Sequence, residues 1–164
     1  MQFTDSHLHL QDYKTNNAQQ IVADLRRLGF VRVVCASSSA SSWKEVASLA
    51  VKWPDLIIPA FGLHPWYLKA APADWLDIVR SYLKEFPSAW VGECGLDRLK
   101  APGEEGQLEV FKEQIKLAEE FNRPLNIHAL KADGWLTDLW PRMPERFMLH
   151  SFVPKYAMSP EFAG

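Results

Sequence analysis

The chain has 164 residues, 48% of them hydrophobic and 23% charged, with a formal net charge of -2. That length suits a single domain, 1–164, with a core of its own, and the composition excludes a disordered or low-complexity chain. A near-neutral charge gives no global attraction for a polyanion, and no apolar run approaches the roughly 18 residues that a membrane span needs.

There is no signal-peptide pattern, and the only two cysteines, Cys35 and Cys94, lie in apolar segments. A reducing, cytoplasmic setting without membrane attachment is expected.

In chain order the pattern alternates strand and helix. Gln2 to Leu10 reads as a first strand. "NNAQQIVADLRRLG" carries Ile21, Val22, Leu25 and Leu28 at helical spacing and closes on Gly29, a residue suited to a C-terminal cap. "FVRVVCAS" is a β-branched run that predicts a buried second strand. Ser42 with Glu45 has the capping-box spacing and predicts a helix through Val46, Leu49 and Ala50 that Pro54 stops. "LIIPAFGLHP" is the third strand, Pro72 to Phe86 a helix, and "AWVGECGLD" the fourth strand. A long helix follows with Leu108, Phe111, Ile115 and Ala118 on one face. "PLNIHAL" is strand five, "DGWLTDLW" a short helix and "RFMLHSF" strand six. Such alternation predicts a parallel sheet of right-handed βαβ units, either open or closed into a barrel. No strand is followed by a glycine-rich phosphate loop, since "GLHP" and "GECGLD" lack the spacing, and this favours the barrel.

The histidines carry the chemistry. In "DSHLHL", His7 and His9 stand two apart, so a strand aims both rings at one point. All five histidines, His7, His9, His64, His128 and His150, fall at or beside predicted strand ends, and Glu93 is placed at the end of strand four. Parallel α/β folds assemble their sites at the C-terminal ends of their strands. An unshared buried carboxylate costs several kcal/mol by order of magnitude, and each buried ring needs a partner; a divalent ion removes both problems. Imidazoles with one carboxylate suit zinc, manganese, iron or nickel rather than calcium. The competing reading is a set of satisfied core histidines.

The segments "DSHLHL", "GLHPW", "VGECGLD", "QLEVFKEQIKLAEEFNRPLNIHA" and "MLHSF", in that order and spacing, resemble the TatD-related metal-dependent hydrolases, a deoxyribonuclease family of the amidohydrolase superfamily. The likeness runs from residue 2 to about residue 152. It implies a (β/α)₈ barrel and two divalent ions, Zn, Mn, Mg, Ni or Fe. His7 and His9 would hold the first ion, Glu93 would bridge both, and His128 and His150 would hold the second. His64 would contact a substrate phosphate, and the implied reaction is hydrolysis of DNA phosphodiester bonds with Glu93 and His64 as its catalytic groups. Alternatives are a hydrolase of small amides or lactones, or a non-catalytic remnant that binds metal.

The resemblance also marks departures. The family's further aspartate, in an E-T-D motif on the last strand, has no counterpart, and six strands stand where a complete barrel of about 250 residues has eight. In "MSPEFAG", Ser159 reads as an N-cap and Pro160 as the first helical residue of a helix that ends within a turn. The expected architecture is therefore a TIM-type barrel lacking about its last two strands, with the second ion better held than the first and activity impaired. Uncovered strand edges predict a homo-oligomer. Lys131 stands where an arginine is frequent and could meet a phosphate as a point charge, or be a solvated lysine. Trp66 and Tyr67 could stack on a base at the rim, or simply pack. In "HSFVPK" the family's glycine-bearing phosphate contact is missing. Cys94 reads as core, and Asp97 as a structural support of a loop or ligand.

Overall fold

Six parallel strands run in sequence order around a nearly closed barrel: β1 (Phe3–Leu8), β2 (Phe30–Ala36), β3 (Ile57–Phe61), β4 (Trp90–Asp97), β5 (Leu125–Leu130) and β6 (Phe147–His150). Helices α1 (Ala18–Arg27), α2 (Ala40–Lys52), α3 (Trp75–Glu85), α4 (Glu104–Glu120) and α5 (Asp133–Leu139) connect them. The structure is a computed structural model and describes residues 1–13, 18–100 and 103–152. Ser159 and Pro160 lie outside the described residues. Among the described residues no helix is long and apolar enough to cross a membrane.

Period-two alternation divides the strand residues between two layers. Val33, Cys35, Ile57, Phe61, Leu125 and Ile127 join Val46, Val79, Leu83, Phe111 and Ile115 of the helices in one continuous core. Phe61 and Phe111 are fully buried, each worth about 1.5–3 kcal/mol relative to exposure. Val34, Ala36 and Ala60, on the opposite face, form a second small cluster with Ile58 and Trp90. Two alanines toward the C-terminal ends of β2 and β3 leave volume there for the rings described below.

In β4 the alternation changes parity. Val91 lies in the large core and so do Cys94 and Leu96, an odd step followed by an even one. The β4–β5 register explains it: Val91 pairs with Leu125 and Cys94 with Ile127, three residues against two. One extra residue is a bulge, and it turns Glu93 to the inner face with Asp97. Gly92 and Gly95 make this feasible at φ +132° and +128°, where a Cβ would run into the Asn126 and His128 carbonyl oxygens respectively. Glu93 is thus the fourth residue of an eight-residue strand, not its end as the sequence suggests.

Two helix starts also differ from the sequence reading. Ser42 Oγ accepts the Ser39 N–H at 3.2 Å and the Ser38 N–H at 3.3 Å, so Ser39 is the N-cap and Ser42 the third helical residue. The earlier start lets Trp43 bury in the first turn and donate its indole N–H to the Gly62 carbonyl at 2.8 Å. The third helix begins at Trp75 rather than Pro72, after a turn in which the Trp75 N–H reaches the Pro72 carbonyl at 3.1 Å.

Candidate metal centre

Three strands and one loop bring the histidines together. His7 is in β1, His9 just beyond it, His128 in β5 and His150 at the end of β6, while His64 opens the turn Pro65–Ala70 after β3. Glu93 lies among them, 3% exposed. Its Oε2 is 3.2 Å from His9 Nε2 and 3.8 Å from His7 Nε2. Its Oε1 is 3.4 Å from His128 Nδ1 and 3.6 Å from His64 Nε2. One carboxylate therefore faces two pairs of rings, one with each oxygen.

Among the described residues, ligand-type atoms come within 4.8 Å of one another in two sets: His7, His9 and Glu93, and His64, Glu93 and His128. His150 is in neither. Its ring stacks on His7 at 3.9 Å between centroids, 10° from parallel, and stands 6.1 Å from His128. The β5–β6 register pairs His128 with His150, while the near closure of the barrel carries β6 against His7.

Hydrogen-bond polarity separates ligands from donors. A carbonyl oxygen only accepts, so His9 Nδ1, 2.8 Å from the Ala36 carbonyl, carries a proton, and Nε2, which faces Glu93, is the nitrogen an ion would take. His128 Nε2 is 3.0 Å from Asp97 Oδ2, which likewise holds a proton there, so Nδ1, facing Glu93, is the nitrogen an ion would take. His64 has the opposite polarity. Its Nδ1 accepts the Trp66 backbone N–H at 3.1 Å, so the neutral ring carries its proton on Nε2 and offers a donor, not a lone pair. The second set thus holds two candidate ligands and one hydrogen-bond donor. The donor set that remains, imidazole nitrogens around a shared carboxylate, fits a divalent transition ion.

The charges fit one another. Burial pushes the Glu93 carboxyl up, but His128, His9, His64 and His7 outweigh it and hold Glu93 well below the usual carboxylate range. Its hydrogen bond with Glu93 raises His9 against the effect of burial. For His128, burial pulls down but Glu93 and Asp97 prevail and raise it. Burial lowers His7 and His150, and it lowers His64 to about 4, so His64 is neutral near pH 7.

The outer residues are equally defined. Asp97 Oδ2 accepts the Trp66 indole N–H at 2.6 Å, so Trp66 is pinned at the site edge with 41% of its surface exposed. The Lys100 ammonium sits 4.7 Å from the Trp66 ring centre. Tyr67 is 39% exposed beside it. Lys131 is exposed directly after β5, at φ 51°. A cavity of about 380 Å³ opens beside His7 and His9, lined also by Leu8, Asp12 and Tyr13. A larger hollow of about 780 Å³ lies on the outer wall along α4 and is lined by none of the histidines.

Sequence reasoning passed over the residues that hold this arrangement. Gln107 and Gln114, seven apart on α4 and 2% and 0% exposed, each clasp one backbone unit. Gln107 Oε1 accepts the Asp97 N–H at 2.7 Å and its Nε2 donates to the Asp97 carbonyl at 3.0 Å. Gln114 does the same for Leu63, the residue before His64. Gln11 Nε2 donates to the Ala36 carbonyl at 2.8 Å, beside His9. Asn126, fully buried in β5, meets His7. A glutamine inside an otherwise apolar helix face, and an asparagine inside "PLNIHAL", were the signals available.

The family model for TatD related DNase matches residues 4–164. The chain belongs to the TatD-related DNase family. An uncharacterized metal-dependent hydrolase of Haemophilus influenzae is 25% identical over 99% of this chain and 66% of its own length. The 3'-5' ssDNA/RNA exonuclease TatD of Dickeya dadantii is 26% identical over 84% of this chain and 54% of its own. The crystal structure of the TatD homologue YJJV from Escherichia coli K12 superposes with a TM-score of 0.76 at 25% identity, covering 93% of this chain and 61% of that one. The chain thus spans about half to two thirds of the length of these relatives. Membership makes it part of a metal-dependent hydrolase family that includes proteins named as nucleases.

Proposed function

We propose that this protein is a divalent-metal-dependent hydrolase of nucleic-acid phosphodiester bonds, and that DNA is its substrate. The observation that carries the reading is the two-sided Glu93 carboxylate, with Oε2 toward His7 and His9 and Oε1 toward His128 and His64. Glu93 would bridge two ions, His7 and His9 would complete the first set, and His128 with His150 would contribute to the second. When bound, the ions supply Lewis acidity to the phosphodiester and lower the pKa of water at the site.

The chain's own groups do the rest. His64 Nε2–H donates to a non-bridging phosphate oxygen, held there by the Trp66 N–H behind it. Lys131 adds a mobile positive charge at the same end of the barrel. Trp66, pinned through Asp97, offers its exposed face to a base. The name of the Dickeya dadantii relative, an exonuclease on single-stranded DNA and RNA, supports the substrate class.

Hydrolysis of a labelled single-stranded oligonucleotide in Mn²⁺ or Zn²⁺, compared with amide and lactone esters in the same metal, tests the reading. Phosphodiester cleavage that Glu93→Gln lowers by about 100-fold or more, the upper end of what changes outside the ligand shell cost, is the expected result. Amide or lactone turnover without phosphodiester cleavage would overturn it.

A further inference from the structure

We propose that Asn126 is a positioning residue that fixes the ring proton of His7 on Nδ1, so that His7 Nε2 keeps its lone pair for a cation. The inference rests on the reading that His7, His9 and Glu93 hold an ion.

The Ser6 carbonyl oxygen can only accept, and Asn126 Nδ2 donates to it at 3.2 Å. That contact fixes which way the amide points, because the flipped amide would set its oxygen against another oxygen. Asn126 Oδ1 then faces His7 Nδ1 at 3.0 Å. An amide oxygen also only accepts, so His7 Nδ1 must donate. Asn126 is 0% exposed, so no water can substitute for either partner. His7 Nε2 is left with a lone pair, 3.0 Å from Nε2 of His9, whose Nδ1 proton is drawn to the Ala36 carbonyl. With no ion bound, that lone pair accepts from a His9 Nε2–H; an ion that displaces this proton finds the His7 nitrogen already open to it.

The placement in the fold gives Asn126 a second role. Residues 126 and 128 share the inner face of β5. His128 from that face meets Glu93 Oε1, while Asn126 reaches β1, a strand that is not a neighbour of β5 in the sheet. Two side chains from one strand therefore serve both sides of the shared carboxylate. An apolar residue would fill the same buried position without the cost of burying an amide; the amide is accounted for by its two partners. A carboxylate would serve His7 but would face the Ser6 carbonyl with the wrong sign.

Long-range ¹H–¹⁵N correlation of the histidine rings in the metal-free 164-residue chain reads the tautomers directly. Zn²⁺ titration against a competing chelator, with thermal unfolding alongside, reads the consequence. In the wild type, His7 should show a protonated Nδ1 and a bare Nε2. Asn126→Leu should move that proton wholly or partly to Nε2 and weaken one Zn²⁺ by about 10- to 100-fold while leaving the other unchanged. Asn126→Asp retains an acceptor toward His7, so it should keep the wild-type tautomer and Zn²⁺ affinity even where it melts at lower temperature.

An unchanged His7 tautomer in Asn126→Leu would overturn the proposal, as would equal weakening of both ions by the two variants, since Asn126 would then only support the strand. Should Asn126→Leu fail to fold, the wild-type and Asn126→Asp spectra decide: a protonated Nε2 on His7 in either overturns the lock. A wild type with the expected tautomer that takes up no Zn²⁺ would overturn the metal reading and leave the lock supported.

Discussion

Gln114, on a helix outside the barrel, holds both backbone polar groups of Leu63: its Oε1 accepts the Leu63 N–H at 2.8 Å and its Nε2 donates to the Leu63 carbonyl at 3.1 Å. The side-chain amide thus takes the place of a neighbouring strand where β3 has ended, and it sets the chain that enters His64. Gln114→Leu leaves two buried backbone groups unpaired and should destabilise the protein by about 2–4 kcal/mol in urea unfolding. Gln114→Glu keeps the acceptor but sets a buried carboxylate against the Leu63 carbonyl, so near pH 7 it should destabilise at least as much as Gln114→Leu. If the clasp also aims His64, kcat should fall in both variants under conditions where they remain folded.

The strand and helix order, the barrel and the histidine set were legible because each rests on a local regularity: period two in "FVRVVCAS", helical spacing in "QLEVFKEQIKLAEE", and punctuation by Gly29 and Pro54. What stayed hidden depends on contacts between distant segments. The inward turn of Glu93 comes from a bulge against β5, for which Gly92 and Gly95 are the trace in sequence. Counting Leu108, Phe111, Ile115 and Ala118 as the apolar face of α4 left its glutamines without a role, although Gln107 and Gln114 are the residues that reach the loops of the site. Ser42 and Glu45 matched a capping pattern by spacing alone, whereas the Ser39 N–H on Ser42 Oγ makes Ser39 the cap and starts the helix earlier.

His64 and the candidate ligands should respond differently to substitution. Because its Nδ1 accepts the Trp66 N–H, His64 presents a proton to the site and no lone pair. His64→Ala should therefore leave Zn²⁺ stoichiometry unchanged and lower kcat/KM for a phosphodiester by about 100-fold, the scale of one lost donor to a developing charge. Loss of an ion in this variant, measured by metal analysis after dialysis, would return His64 to the ligand set.

Cys35 gives a pH signature away from the proposed chemistry. Burial pushes its thiol from an ordinary value of 9.0 to about 12, and its Sγ donates to Gln11 Oε1 at 3.3 Å. The folded state therefore holds this proton more tightly than the unfolded chain. The stability this represents is complete below about pH 9 and declines as pH rises from there through about 12. Burial also raises Cys94 well above its ordinary value. Neither thiol should react with an alkylating reagent at pH 8 in the native protein, and both should react in urea. Cys35→Ala should flatten the alkaline limb of unfolding curves collected between pH 8 and 11, and native-state labelling of Cys35 at pH 8 would contradict its burial.

Asp97 collects four donors, and its charge is what allows it to satisfy them together. Oδ1 accepts the backbone N–H of Leu99 at 2.7 Å and of Lys100 at 2.9 Å; Oδ2 accepts the Trp66 indole at 2.6 Å and faces His128 Nε2 at 3.0 Å. In Asp97→Asn one of the two oxygens becomes an NH₂ group. If that group faces the backbone, the loop 98–100 loses its anchor; if it faces inward, Trp66 and His128 each meet a donor. In the second arrangement, the His128 proton is no longer drawn to Nε2, and Nδ1 loses its certainty as a ligand. Asp97→Asn should therefore weaken one Zn²⁺ by about 10- to 100-fold and release Trp66 from its anchored position, seen as a change in tryptophan fluorescence. Trp66→Phe removes a single donor to Asp97 and leaves His128 its acceptor, so it should retain both ions. Zn²⁺ titration of the two variants side by side separates the carboxylate's hold on His128 from its hold on the rim, and equal losses in both would show that Asp97 acts through Trp66 instead.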